Sequence, residues 1–459
     1  MIKFFTLPRL ANLFIFFAVV IVLLRYTSWK DKDGIINNDV LEYYSYLPAT
    51  FIYHDVSLKF AENYLGPHKF AFWPRISPTG HYILKMSMGM SYMYFPFFCV
   101  GHVYALCFGY DAGGFSMPYQ VALLIGALFY LMLGLYYLRK ILQRYFTPFV
   151  TAFVLSLIVF ATNLFYYSSF LGPMSHVFTF ALFSMFIYYS IQWHENPRWT
   201  QSLITGLLMG ALVIIRPTNI LMILFFIFYN IKSFRDIKPR MLLFLKNYSS
   251  ILIICICLIA YWIPQIIYWK NMTGQWFYYS YLDEHFNFQH PRFLLGLFGY
   301  RKGWLLYTPL MGFSLIGFLL SFKKLPSFFV PAFLFLTLNF WIVFSWWCWW
   351  YGGSYGLRAL IDIYALLAMG LGVFITAVWK LKPWFKYPLI LMVLACVLLN
   401  MFNIIQFQRG ALHIDSMTKN AYWKNFGHMD PYGNYYHLIR HPDYDKAKRF
   451  IDDTLSDKK

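Results

Sequence analysis

The sequence predicts an all-α polytopic membrane protein, and three observations predict it. Hydrophobic residues make up 60% of the 459 positions and charged residues only 12%, against roughly a quarter charged in soluble domains. Apolar runs approaching the ~20 residues of a membrane-crossing helix recur along the whole chain. Short groups of Lys and Arg separate them. With a mean hydropathy of +0.52, the pattern leads to an expectation of about 11 transmembrane helices. The 50 Phe and 38 Tyr suit lipid-facing surface and interfacial belts. A net charge of +19 would suggest nucleic acid in a soluble chain. Here the cations stand between apolar runs, so topology and lipid phosphates account for them and no nucleic-acid partner is expected.

Taken in order, the apolar run 10–24 follows Lys3 and Arg9 with no small-residue cleavage site after it. It reads as an uncleaved signal anchor with a cytoplasmic N-terminus. Residues 26–118 are then expected to form one large outer segment. Within it, 83–108 is apolar but holds Lys85, Pro96 and His102, so it is expected to lie in the membrane plane or re-enter the outer face. Spans are expected at 119–138, 148–165, 177–193, 251–268, 304–322, 326–344, 359–378 and 388–405. A shorter pair, 203–215 and 220–231, meets at Arg216-Pro217-Thr218-Asn219. If 83–108 does not cross, the basic loops 139–144, 232–246, 323–324 and 380–386 all fall on the cytoplasmic side, as the positive-inside rule demands. The chain thus divides into a polytopic domain, 1–405, and a short polar outer-face tail, 406–459.

This topology collects the polar residues that are unlike loop filler on the outer face. In Asn37-Asn38-Asp39-Val40-Leu41-Glu42-Tyr43-Tyr44, Asp39 and Glu42 stand about one helical turn apart. Asn38 or Asp39 would serve as the N-cap of a short helix. Alternatively, the carboxylates, with Asp55, would take a proton from an acceptor or hold a divalent cation, the one cofactor this pattern admits. Arg75, Lys85, Arg216, Arg301, Lys302 and Arg358 are the outer-face cations. A lipid phosphate or pyrophosphate needs such groups, Arg offering a bidentate fork, while snorkelling to the interface is their ordinary use. His81, His102 and His176 are candidate bases or donors, with no acidic partner in sequence. Asp283-Glu284-His285 reads first as a solvated face and alternatively as a cluster for metal or sugar, and the aromatic cluster 346–351 as an interfacial belt or a surface for stacking on a sugar ring. The cysteines Cys99, Cys107, Cys255, Cys257, Cys348 and Cys396 show neither metal nor disulfide spacing. No set of metal ligands is singled out. No Gly-rich phosphate loop, nucleophile elbow or His-Glu-x-x-His pattern is present.

The layout resembles the GT-C superfamily of membrane glycosyltransferases, similar members being the protein O-mannosyltransferases and the lipid A aminoarabinose transferase. Asn38-Asp39-Val40-Leu41-Glu42-Tyr43-Tyr44 resembles the segment carrying that family's catalytic acid. Lys85, in Tyr82-Ile83-Leu84-Lys85-Met86-Ser87, looks like its phosphate-contacting lysine. Arg358, in Gly352-Gly353-Ser354-Tyr355-Gly356-Leu357-Arg358, looks like the cation before a late span in bacterial members. The resemblance implies inverting transfer of a sugar from a polyprenyl-phosphate donor to a lipid, glycan or protein acceptor, at the outer face of the cell membrane. It implies Asp39 as the base with Glu42 in support. Lys85, Arg358 and Arg216, with Arg75, Arg301 and His176, would lie around the departing phosphate. One departure stands out: some members carry a second acid near 172–176, where this chain has Ser175-His176. Either His176 substitutes, or one acid suffices, or the activity differs. Two other classes fit the composition, a lipid or solute transporter and a non-catalytic envelope scaffold. A transporter should carry charges near mid-span, and these spans carry almost none.

Overall fold

The computed structural model describes residues 6–30, 34–62 and 75–451; Lys3 lies outside them. The chain opens with α1 (Leu7–Arg25), then two short helices, α2 (Asn38–Tyr44) and α3 (Tyr46–Phe51). An antiparallel ladder pairs β1 (Arg75–Ile76) with β2 (Tyr82–Ile83) and leads into α4 (Gly89–Cys107). Next come α5 (Met117–Leu142), α6 (Pro148–Phe160), α7 (Leu164–Ser169), α8 (Ser175–Glu195), α9 (Trp199–Ile215), α10 (Ile223–Phe228), α11 (Ile237–Lys246) and α12 (Tyr248–Thr273). Two short helices, α13 (Phe293–Phe298) and α14 (Trp304–Tyr307), precede α15 (Leu310–Lys324), α16 (Pro326–Ser345), α17 (Tyr364–Trp379) and α18 (Pro383–Gln408).

The protein is therefore a helical, multi-pass membrane-type chain. Among the described residues, 6 helices are long and apolar enough to cross a bilayer: Leu7–Lys30, α5, α12, α16, Arg358–Trp379 and α18. Several of the expected spans are shorter helices. The run 148–165 is broken where α6 stops at Phe160 and the Thr162 hydroxyl turns back to Ile158 O. The run 203–215 ends at Arg216, whose extended backbone precedes Pro217, a residue that disfavours helix before it.

The segment 83–108 packs against the next long helix. Its helical part, α4, runs antiparallel along the first half of α5. Met93 meets Tyr130, Phe97 meets Gly126, and Gly101 meets Tyr119. It stands alongside the first half of a long apolar helix, and it is not among the helices long and apolar enough to cross a bilayer. Gly101 and Gly126 give the physical reason for the close packing, because small residues let helix surfaces approach closely.

Packing is organised on α17, where 89% of the apolar window is buried against 17% for α12. A Cβ at Gly317 of α15 would come within 1.9 Å of Gly370 O of α17. The same device joins α9 to α12, where Gly206 and Gly210 face Ile254, Cys257 and Tyr261. Exposed apolar side chains lie along the outer helices, such as Leu252, Ile256 and Ile259 of α12 and Leu391, Leu394 and Leu398 of α18. In a bilayer these would meet lipid. The tail is not a loose appendage. It carries α19 (Lys419–Asn425), α20 (Tyr435–Leu438) and α21 (Tyr444–Lys448), buries Tyr422 and Tyr435, and docks through Ser354 N, which donates to Ile414 O at 3.1 Å.

Candidate functional site

The fold gathers one end of α2, α8, α9 and α17 around a cluster of charged side chains. In α2, buried Val40, Leu41 and Tyr44 fix the helix and leave Asp39 and Glu42, three residues apart, as neighbours on one face. The N-cap reading fails: Asn37 occupies that position without a capping side-chain hydrogen bond, its amide donating back to Gly34 O instead, and Asp39 lies inside the first turn. Asn38 holds φ at +46°, a left-handed conformation that Asn tolerates better than most residues. The Asp39 carboxylate is instead 2.9 Å from the Arg358 guanidinium. Glu42 Oε2 accepts the backbone N–H groups of Lys85 (3.0 Å) and Met86 (3.2 Å), so α2 holds the turn that carries Lys85.

A second carboxylate enters from a place the sequence hid. Asp362 lies in the 3₁₀ turn Arg358–Ile363 that leads into α17. It is 3.2 Å from Arg216 and 3.1 Å from His176 Nδ1, and it accepts the Thr179 hydroxyl at 2.8 Å. Arg216 also donates to Ser175 Oγ at 3.1 Å. His176 is fully buried and reaches Arg216 only through Asp362 and a 3.5 Å ring contact. It therefore acts as a positioning residue. Ser175-His176, where a second acid was sought, is the cradle for an acid supplied from elsewhere in the chain.

The third carboxylate is Glu284. Its Oε1 takes Lys85 at 2.5 Å and Arg75 at 2.9 Å, and its Oε2 accepts the Trp347 indole N–H at 3.1 Å. Glu284 is buried at 5% exposure, so the solvated-face reading is corrected for this residue. It holds for neighbouring Asp283, which is exposed and pairs with Lys448. Lys85 also lies over the Tyr281 ring, 4.8 Å from its centre.

A common pattern runs through these pairs. The side chains of Arg75, Lys85, Arg216 and Arg358 each keep between 18% and 24% of their surface open. Asp362 and Glu284 behind them keep 5% and 7%. Cations thus face an accessible space while buried carboxylates fix them from behind. Burial alone would raise the Asp39 carboxyl, but Arg358, then Lys85 and Arg216, outweigh it and hold the group below the usual carboxylate range. Glu42 responds in the opposite sense. Burial pushes it up to about 7, against the attraction of Lys85 and with the Asp39 charge adding to the rise. Near neutral pH Glu42 is then close to half protonated. The cluster sets four cations beside Asp39, Glu42, Asp362 and Glu284, and protonation of Glu42 leaves positive charge in excess, which favours an anion.

Of the residues singled out in the sequence, the fold unites Asp39, Glu42, Arg75, Lys85, Arg216, Arg358 and His176. Arg301 falls elsewhere. It stacks over Trp350 at 4.9 Å and lines a small open cleft of about 30 Å³ with Asn287, His290, Arg292 and Trp346. No Asp or Glu is among the described residues lining that cleft, and it adjoins the cluster through Trp347, which donates to Glu284, and Trp346, which packs on Tyr281. Sequence reasoning missed Asp362, whose signal was available: one carboxylate at the head of an otherwise apolar run. It also discounted Glu284. No model of a known protein family matches this chain, and no curated protein sequence matches it.

Proposed function

We propose that this chain is a membrane glycosyltransferase that moves a sugar from a polyprenyl-phosphate donor to an acceptor hydroxyl or amine, with inversion. The observation that carries the reading is the pairing of Asp39 with Arg358 beside three more partly open cations, Arg75 and Lys85 on Glu284 and Arg216 on Asp362. The resemblance to GT-C enzymes points the same way. In the reaction, the acceptor proton passes to a carboxylate as the acceptor atom bonds to the sugar's anomeric carbon. The bond from that carbon to the phosphate oxygen breaks, and the lipid phosphate leaves carrying the electron pair. Fixed cations aimed at the developing phosphate charge supply the larger share of the stabilisation.

Asp39 is the base in this scheme, and the ion pair with Arg358 explains how it is switched on. A phosphate oxygen competes for the Arg358 guanidinium. As it takes that partner, Asp39 loses the strongest influence lowering its proton affinity and becomes a better base. Glu42 keeps its role of fixing the Lys85 turn through the two backbone amides. The acceptor is a lipid, glycan or protein at the outer face of the cell membrane. Purified Asp39→Asn should insert and fold normally while losing transfer from a polyprenyl-phosphate sugar, and full activity in that variant would remove Asp39 from the mechanism. A cysteine at position 39 should react with an impermeant thiol reagent from the side opposite one at position 140; reaction from the same side contradicts the outer-face placement.

A further inference from the structure

The folded tail brings together three side chains that the ion-pair cluster does not use. His413, Asp415 and His441 each present one ligand atom, and the three atoms lie within 4.8 Å of one another. Asp415 Oδ1 is 3.2 Å from His413 Nδ1, and the two imidazole rings have their centres 5.4 Å apart. The Ser416 hydroxyl bridges Asp415 Oδ1 at 2.6 Å and His441 Nδ1 at 2.8 Å, the place where a small ion would touch both. Tyr444 donates its hydroxyl to the other Asp415 oxygen at 2.9 Å and so fixes the carboxylate plane.

The geometry points to a binding site for one zinc-class ion on His413, Asp415 and His441. Two imidazoles and a carboxylate form a nitrogen–oxygen set that suits zinc better than the harder magnesium or calcium. Metal–ligand lengths of ~2.0–2.1 Å place tetrahedral ligand atoms about 3.3 Å apart, so the set must close by an ångström or so. His441 is exposed and free to make that movement, with the Ser416 hydroxyl rotating out of the bridge. Three protein ligands leave a fourth position for water.

The site's location gives the ion a structural consequence. Arg440 N donates to Ser416 O at 2.9 Å, and Ser354 N donates to Ile414 O at 3.1 Å. Lys302, buried beside this loop, donates to Ser354 O. Ser354 leads directly into the turn bearing Arg358. An ion joining 413–415 to 441 thus staples the tail against the loop that presents Arg358 to Asp39. This holds whichever reaction the ion-pair cluster performs.

The test uses the full chain in detergent, carrying no polyhistidine tag and stripped with chelator, then titrated with zinc by calorimetry and followed by thermal unfolding. Wild type should bind one zinc per chain and unfold at higher temperature when it does. His413→Ala and His441→Ala should each weaken binding by more than the roughly 10- to 100-fold that loss of an outer-shell partner costs. Because His441 is exposed, its variant tests the site even where His413→Ala folds poorly. Ser416→Ala removes the bridging hydroxyl but no ligand, and should keep both the binding and the zinc-dependent rise. A purely hydrogen-bonded cluster gives no saturable zinc binding in wild type; that result, or binding unchanged in both histidine variants, overturns the site.

Discussion

Replacing Glu42 by Gln should make the protein's stability less dependent on pH, and the structure gives both the sign and the size. Gln keeps the acceptor oxygen for Lys85 N and Met86 N, at 3.0 and 3.2 Å, but cannot ionise. In wild type, burial raises the Glu42 carboxyl from 4.5 to about 7, so the folded chain holds a proton that the unfolded chain has released. Its stabilising contribution is fully present below pH 4.5, falls through the interval up to about 7, and is gone above it. That displacement corresponds to about 3 kcal/mol at ~1.36 kcal/mol per pH unit. Partial exposure of the side chain reduces it to roughly 1–2 kcal/mol. Lys302, which burial lowers to about 7, shifts stability in the opposite direction only above that pH; other groups that titrate between pH 5 and 7 are common to both proteins, so the difference between wild type and variant isolates Glu42. The assay is thermal unfolding of wild type and Glu42→Gln in one detergent across that window. On going from about pH 5 to 7 the stability of wild type should fall relative to that of the variant by roughly 1–2 kcal/mol. Equal slopes in the two proteins would refute the assignment of a raised Glu42.

Two further perturbations follow from the same geometry. Glu284→Gln leaves Lys85 and Arg75 without their shared carboxylate, and breaking a buried ion pair from one side costs about 3–5 kcal/mol; solvent access to both cations places the expected loss at the lower end, read by thermal unfolding, with weaker binding of an anionic lipid phosphate. Unchanged stability would show that Glu284 is not holding them. Gly317→Val puts a side chain where a Cβ already lies 1.9 Å from Gly370 O, so α15 and α17 must separate. The folded yield after detergent extraction should fall sharply, while Gly312→Val, at a glycine whose added Cβ meets nothing within 4 Å, should leave it intact.

The candidate site was partly visible in the sequence because its cations and first acids are unusual where they stand. Asp39 and Glu42 are conspicuous in a chain with 19 acidic residues, and Arg216 and Arg358 interrupt or precede apolar runs. Asp362 escaped notice because a carboxylate within an apolar run shows no partner in one dimension; Arg216 and His176 reach it from α9 and α8. Glu284 was mistaken for solvated surface because its neighbours Asp283 and His285 are polar, whereas the chain turns only Glu284 inward, toward Lys85 and Arg75. Arg301 had the same composition signal as Arg75 and Arg358 but is carried by a different loop, against Trp350.

By itself the sequence determined that this is a helical membrane-type chain, because hydrophobic run length and composition leave no other way to satisfy the backbone in lipid. It also marked the α2 segment as a concentration of costly charge. Only the tertiary structure decided which charges meet, since an ion pair depends on a few ångströms between groups hundreds of residues apart. It turned Asp39 from a helix cap into the partner of Arg358, brought Asp362 beside Arg216 and His176, and folded the tail so that His413, Asp415 and His441 come together.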